Sequence, residues 1–310
     1  MRLSLVIPVG PHDEATLERL LDSIGRQSFP KTELEVLLQY QGHSEEARAA
    51  GIRRAQGEII GCLDADNQLL GHEFLQRLYD AACDPAVVGA YPSHYAWFAD
   101  DAPLNRYFAL LGANDPLAWW LGKADRHSYL HRGNQTCGVQ RFDGSIPTLG
   151  SNGFFVKRAL AQPFADAWAQ SHIDGCEAMR QAGFDTYTVV DAVIWHHTGT
   201  SLVAWLRKRY RYARQFGLSQ RRLWQLVHTP GDWLKVVAFA AASLCVLPHL
   251  WVSVVGARRV RDRSWALHPF VCLCLTCVYS VALLSLAWSF VPRGLRAMRR
   301  SWRHWPTNRR

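Results

Sequence analysis

The chain has eight cysteines but no disulfide framework among Cys62, Cys83, Cys137, Cys176, Cys245, Cys272, Cys274 and Cys277. Half of them lie inside apolar segments, where a free thiol behaves as a small hydrophobe. That argues against a stapled secreted scaffold and for a reducing compartment around the soluble part. No secretory signal is expected, because the apolar stretch Met1 to Pro8 is too short and reads as a first strand. The close set Cys272, Cys274 and Cys277 has no His or acidic residue in its own run, so no metal cluster is expected there. Acidic residues are outnumbered: 26 Asp and Glu face 35 Lys and Arg, a formal net charge of +9. Such a balance suits nucleic acid, anionic lipid or phosphorylated small molecules. The arginines crowd at 207–222, 258–263 and 293–310 and bracket apolar runs. A membrane surface accounts for that pattern better than a nucleic-acid groove, and no nucleic-acid partner is expected.

What is present is a chain of 310 residues, 49% hydrophobic, long enough for a full α/β core plus an appendage. Leu3 to Pro8 reads as a strand, Glu14 to Gln27 as a helix with apolar spacing at Leu17, Leu20, Leu21 and Ile24, and Glu35 to Tyr40 as a second strand. Ala47 to Ala55 reads as a helix, and Glu58 to Leu63 as a third strand. Strand and helix alternating in this way predict a doubly wound sheet, whose ligands bind outside the carboxyl ends of the strands.

The third strand ends in Asp64-Ala65-Asp66. Side chains alternate along extended backbone, so the two carboxylates point the same way and can share a divalent cation, Mg²⁺ or Mn²⁺. Acidic residues are also common where a strand simply leaves into a turn.

Several ordered segments resemble the family 2 glycosyltransferases of the GT-A fold. They are Leu5 to Pro8, Ala47 to Ile52, Ala55 to Glu58, the Leu63 to Asp66 ending, the turn Leu149-Gly150-Ser151-Asn152-Gly153-Phe154, His172-Ile173-Asp174 with Arg180, and Asp191 to His196. The resemblance covers roughly the first 215 residues. It implies an α/β GT-A domain with a doubly wound mixed sheet over 1–200, split into a nucleotide-sugar half (1–90) and an acceptor half (91–200). It also implies a nucleotide-sugar donor held by Pro8, Gln41, Arg48, Asp64 and Asp66. The cation would sit on Asp64, Asp66 and His196, with His197 as the competing ligand. Asp174 would be the general base of an inverting transfer, and Asn152 and Gly153 the acceptor edge. The chain departs from the family pattern after its second strand, where Tyr40-Gln41-Gly42-His43-Ser44 lacks the usual acidic residues, and at Ile173, which leaves Asp174 without an acidic neighbour.

Between the halves, Pro92 to Thr148 is rich in aromatics. Trp119 and Trp120 are expected either to form an acceptor wall or to belong to a structural flap. Leu202 to Phe216 alternates apolar residues with arginines and predicts a basic amphipathic helix at a lipid interface, within a 201–230 segment. Lys235 to Val255 and Pro269 to Val291 have the length of bilayer spans. The 231–292 region is therefore expected to form two transmembrane or re-entrant helices, followed by a basic tail at 293–310. A lipid or lipid-linked acceptor, a membrane location and a cytoplasmic catalytic domain follow as expectations. A lipid monophosphate acceptor, already anionic, would need no base.

Overall fold

The computed structural model describes residues 1–11, 13–40, 42–131, 136–216 and 222–290. Gln41, expected at the donor, and the basic tail at 293–310 lie outside the described residues. In chain order the elements are β1 (Leu3–Pro8), α1 (Glu14–Gly25), β2 (Leu34–Gln39), α2 (Ser44–Arg54), β3 (Ile59–Cys62), β4 (Asn67–Leu69), α3 (Phe74–Cys83) and β5 (Gly89–Ala96). Then come α4 (Pro103–Leu111), α5 (Pro116–Trp120), β6 (Gly138–Arg141), β7 (Phe154–Lys157), α6 (Arg158–Ala161), α7 (Ala165–Gln170), α8 (His172–Gln181) and β8 (Thr186–His196). The helices α9 (Leu202–Phe216), α10 (Pro230–Cys245), α11 (Leu247–Arg259) and α12 (His268–Phe290) complete the chain.

Apolar strands buried on both faces belong in the middle of a layered α/β fold. They form one mixed sheet in the order β2-β1-β3-β7-β5-β8-β4, with β6 added on β8. β1 runs parallel to β2 and β3, β7 is antiparallel to β3 and β5, and β5 is parallel to β8. The carboxyl ends of β1, β2, β3, β5 and β8 therefore share one edge with the start of β7. One core cluster, including Leu5, Leu20, Leu75, Leu78 and Ile194, fills the face under α1 and α3. A second, with Ile52, Ile60, Phe154, Trp168 and Met179, fills the face under α2, α7 and α8.

A third cluster joins α4 and α5 to the C-terminal helices through Tyr107, Phe108, Leu117, Trp205, Phe239, Trp265 and Leu275. This corrects the reading of α9. Its buried Trp205 stacks on Phe108 with ring centroids 5.0 Å apart, and buried Arg209 reaches Asn114 and Asp115. The apolar face thus packs on protein, while Arg207, Lys208 and Arg211 stay exposed.

The expectation of two bilayer spans is also revised. The first apolar run is broken at Val246 (φ 67), where Pro248 cannot continue a helix, and α10 and α11 meet at a bend of 84°. Only the stretch Arg263–Leu286, which contains most of α12, is by itself long and apolar enough to cross a membrane among the described residues. The loop joining α11 to α12 lies against the sheet domain: Arg106 of α4 pairs with Asp262 at 3.2 Å and donates to Ser264 Oγ at 3.1 Å. By length and composition the bent pair suits a broken span or a re-entrant loop.

Candidate functional site

Four of the residues singled out from sequence meet at the carboxyl edge. Asp64 and Asp66 follow β3, Asn152 precedes β7, and His196 ends β8. Registers fix the meeting: Cys62 pairs with Phe154, and Asn67 pairs with His196.

His196 Nε2 lies 3.5 Å from Asp66 Oδ2. Burial works against charge on the ring, but Asp66 overrides it, and the His196 pKa is raised above the ordinary imidazole value. The other carboxylate oxygen, Asp66 Oδ1, is buried without a hydrogen-bond partner. A buried carboxylate oxygen facing nothing is costly unless a cation or donor satisfies it, so the Asp66 and His196 pair fits a divalent cation. His197, just beyond β8, lies against the Trp195 ring, 5.7 Å between centroids.

Asp64 has a different environment. Its Oδ1 accepts from Arg48 Nη2 at 2.8 Å, and Arg48 is buried at 2% exposure in α2. Burial pushes the Asp64 carboxyl up, yet Arg48, His172 and His196 together hold it below the ordinary carboxylate range. Arg48 Nε is shared with Glu45 Oε2 at 3.3 Å, and Glu45 Oε1 pairs with His172 Nδ1 at 2.7 Å. An ordered chain thus runs from α8 through His172, Glu45 and Arg48 to Asp64. Arg48, expected from sequence at the donor, is anchored by Asp64 and Glu45, with Nη1 left unpaired. Glu45 and His172 were not singled out, although an i,i+3 Glu-Arg pair opening a helix was a visible signal.

Asn152 is the hinge of the acceptor-side turn. Its φ of 53 is unusual for a residue with a side chain, and its amide is fully engaged. Asn67 Nδ2 donates to its Oδ1 at 2.9 Å, and its Nδ2 donates to Tyr95 Oη at 3.1 Å. Tyr95 in turn packs on His196, 5.5 Å between centroids, and donates to Asp125. Gly153 (φ 86) follows in a conformation that residues with side chains rarely adopt, with Ile194, Phe74 and Pro92 packed closely behind it. Asn152 therefore fixes the edge rather than presenting a free amide.

Asp174 sits in the first turn of α8, which Ser171 caps through Ile173 N. It is 1% exposed, and both carboxylate oxygens are taken: Oδ2 accepts from Arg222 Nε at 3.1 Å and Oδ1 from Trp224 N at 2.9 Å. Trp119 and Trp120 face the other way. Trp120 Nε1 donates to Lys235 O at 3.0 Å, and Trp119 packs on His268 at 5.7 Å, so both join the third core cluster rather than an exposed wall. Pro8 ends β1 beside a groove of about 660 Å³ lined by Val9, Leu17, Leu21 and Tyr40 and by the carboxylates of Glu14, Glu18 and Asp22.

Residues 39–130 match the model of glycosyl transferase family 2, a stretch that holds Arg48, Asp64 and Asp66. The match supports a glycosyltransferase. No curated protein matches the chain. Among solved structures, the chain is similar to the mannosyltransferase PcManGT from Pyrobaculum calidifontis in complex with GDP-Man and Mn²⁺. The two are 14% identical with a TM-score of 0.49, over 94% of this chain and 88% of that one. It is also similar to S. aureus TarS 1-349 in complex with UDP-GlcNAc, 13% identical with a TM-score of 0.42, over 93% and 92% of the two chains.

Proposed function

We propose that the chain is a divalent-cation-dependent, inverting glycosyltransferase that moves a sugar from a nucleotide-sugar donor to a lipid or lipid-linked acceptor at a membrane surface. The observation that carries this reading is the pairing of Asp66 with His196 beside an unpartnered buried carboxylate oxygen, at the edge where such a sheet binds ligands. Asp66 and His196 would hold the cation, which would supply positive charge against the departing diphosphate. Asp64, fixed by Arg48, turns its remaining oxygen toward the donor. The groove beside Pro8 and Tyr40 accepts the nucleoside.

Membrane attachment rests on the C-terminal helices. Trp233, Leu234, Val237, Leu244, Leu247 and Trp251 of α10 and α11 are exposed and apolar. The bent pair enters a single leaflet from the side of the sheet domain, which keeps Arg258, Arg259 and Arg261 on that side.

One observation favours a second reading of the acceptor. With both Asp174 oxygens held by Arg222 and Trp224, base catalysis requires the 222–224 segment to withdraw. An acceptor that is already anionic, such as a polyprenyl monophosphate, needs no base, and the product is then a polyprenyl-phosphate sugar. Asp174→Asn separates the two. Loss of turnover marks a hydroxyl acceptor. Retained turnover, with a lipid product carrying one sugar that mild acid releases, marks the phosphate.

A further inference from the structure

We propose that His249, His268 and Cys272 form a zinc site that staples α11 and α12 to each other and to the sheet domain. The three are each 0% exposed, and their ligand atoms lie within 4.8 Å of one another. His268 and Cys272 share one face of α12 at i and i+4, and His249 arrives from α11. His249 Nδ1 is 3.2 Å from His268 Nε2, and Cys272 Sγ is 3.7 Å from that same nitrogen. Two nitrogens bound to a tetrahedral zinc are about 3.3 Å apart, and a nitrogen and a thiolate sulfur about 3.5 Å. The separations around His268 match those of a metal set.

The outer partners set the tautomers. Ser243 Oγ donates to Phe239 O at 2.8 Å, so toward His249 Nε2, 3.1 Å away, it accepts. His249 therefore carries its proton on Nε2 and turns a bare Nδ1 inward. Tyr107 Oη lies 2.8 Å from His268 Nδ1; accepting from that nitrogen, it leaves Nε2 bare and facing Nδ1 of His249. A ligating histidine whose second nitrogen rests on a protein oxygen is the usual arrangement around zinc, and here both histidines have it. Cys272 supplies the thiolate, a donor that favours zinc over magnesium or calcium. Tyr107 belongs to α4, so the site ties the C-terminal helices to the domain that holds the donor.

The full chain is purified in detergent, passed over chelating resin and assayed for metal; cobalt is then exchanged in as a spectroscopic probe. About one zinc per chain is expected. The cobalt form should show thiolate-to-metal charge-transfer absorption and the visible bands of a tetrahedral ion, and a strong chelator should lower the melting temperature. Cys272→Ser should lose the charge-transfer band and most of the zinc, whereas Asp66→Ala should keep both, which separates this site from the donor cation. Wild-type protein with native circular dichroism, no zinc and no cobalt band would overturn the proposal. The residues would then form only a hydrogen-bond relay, from Tyr107 through the two imidazoles to Ser243.

Discussion

At the scale of single residues, the division of labour between the two aspartates decides what each substitution does. Asp66 has an unpartnered oxygen and a histidine, whereas Asp64 has an arginine. His196→Ala is therefore expected to abolish most cation-dependent turnover, while His197→Ala, which removes a ring packed on Trp195, leaves turnover close to wild type; steady-state assays over a manganese titration check both. Arg48→Met leaves Asp64 without its partner and should cost about 3 kcal/mol at neutral pH. The folded Asp64 pKa lies below the unfolded value of about 3.9, so the pair contributes stability that is complete above that pH and is lost as pH falls through the lower folded value. The gap between wild type and Arg48→Met, read from urea melts, should accordingly narrow below about pH 4. Asp64 and Asp66 were picked out in sequence by the end of an apolar run and His196 by the family resemblance; strand alternation does not place the two aspartates, because β3 ends at Cys62 and Asp66 lies in the turn before β4. The roles of Arg48 and Asn152 were not legible there, since each depends on partners far along the chain.

At the scale of elements, the turn that carries Asn152 joins the two halves of the edge. Asn152→Ala orphans Asn67 Nδ2 and removes the amide that donates to Tyr95 Oη, and should destabilise the fold by about 1–3 kcal/mol, measurable by thermal and urea unfolding. The strands of the first half fell near their sequence positions, with β3 at Ile59–Cys62 against an expected Glu58 to Leu63. Helix α2 begins at Ser44, three residues before the expected Ala47, with His43 extended ahead of it. The C-terminal elements were harder to read. Composition gave two apolar runs of spanning length, but the bend at Val246 and the contact of Asp262 with Arg106 are tertiary facts. In a background without exposed cysteines, Val260→Cys in sealed vesicles should react with impermeant reagent only from the side of the sheet domain. Labelling from the opposite face alone would restore the two-span arrangement.

At the scale of the whole molecule, three clusters of apolar side chains build one body, in which the sheet edge with Asp66 and His196 and the exposed faces of α10 and α11 belong to the same chain. The net charge pointed to phosphate-bearing partners, and the arginines beside apolar runs pointed to a membrane rather than a nucleic acid. The direction of α9 escaped the sequence, because an amphipathic helix has the same pattern whether it meets lipid or protein. The central claim is that Asp66 and His196 hold the cation through which a nucleotide-sugar donor is bound. Calorimetric titration of UDP and GDP into the full-length protein, with and without Mn²⁺, tests it most directly. One of these nucleotides is expected to bind in a manner that requires the metal and is lost in Asp66→Ala. Binding that is indifferent to metal and unchanged in Asp66→Ala, or no binding of either nucleotide to folded protein, would contradict it.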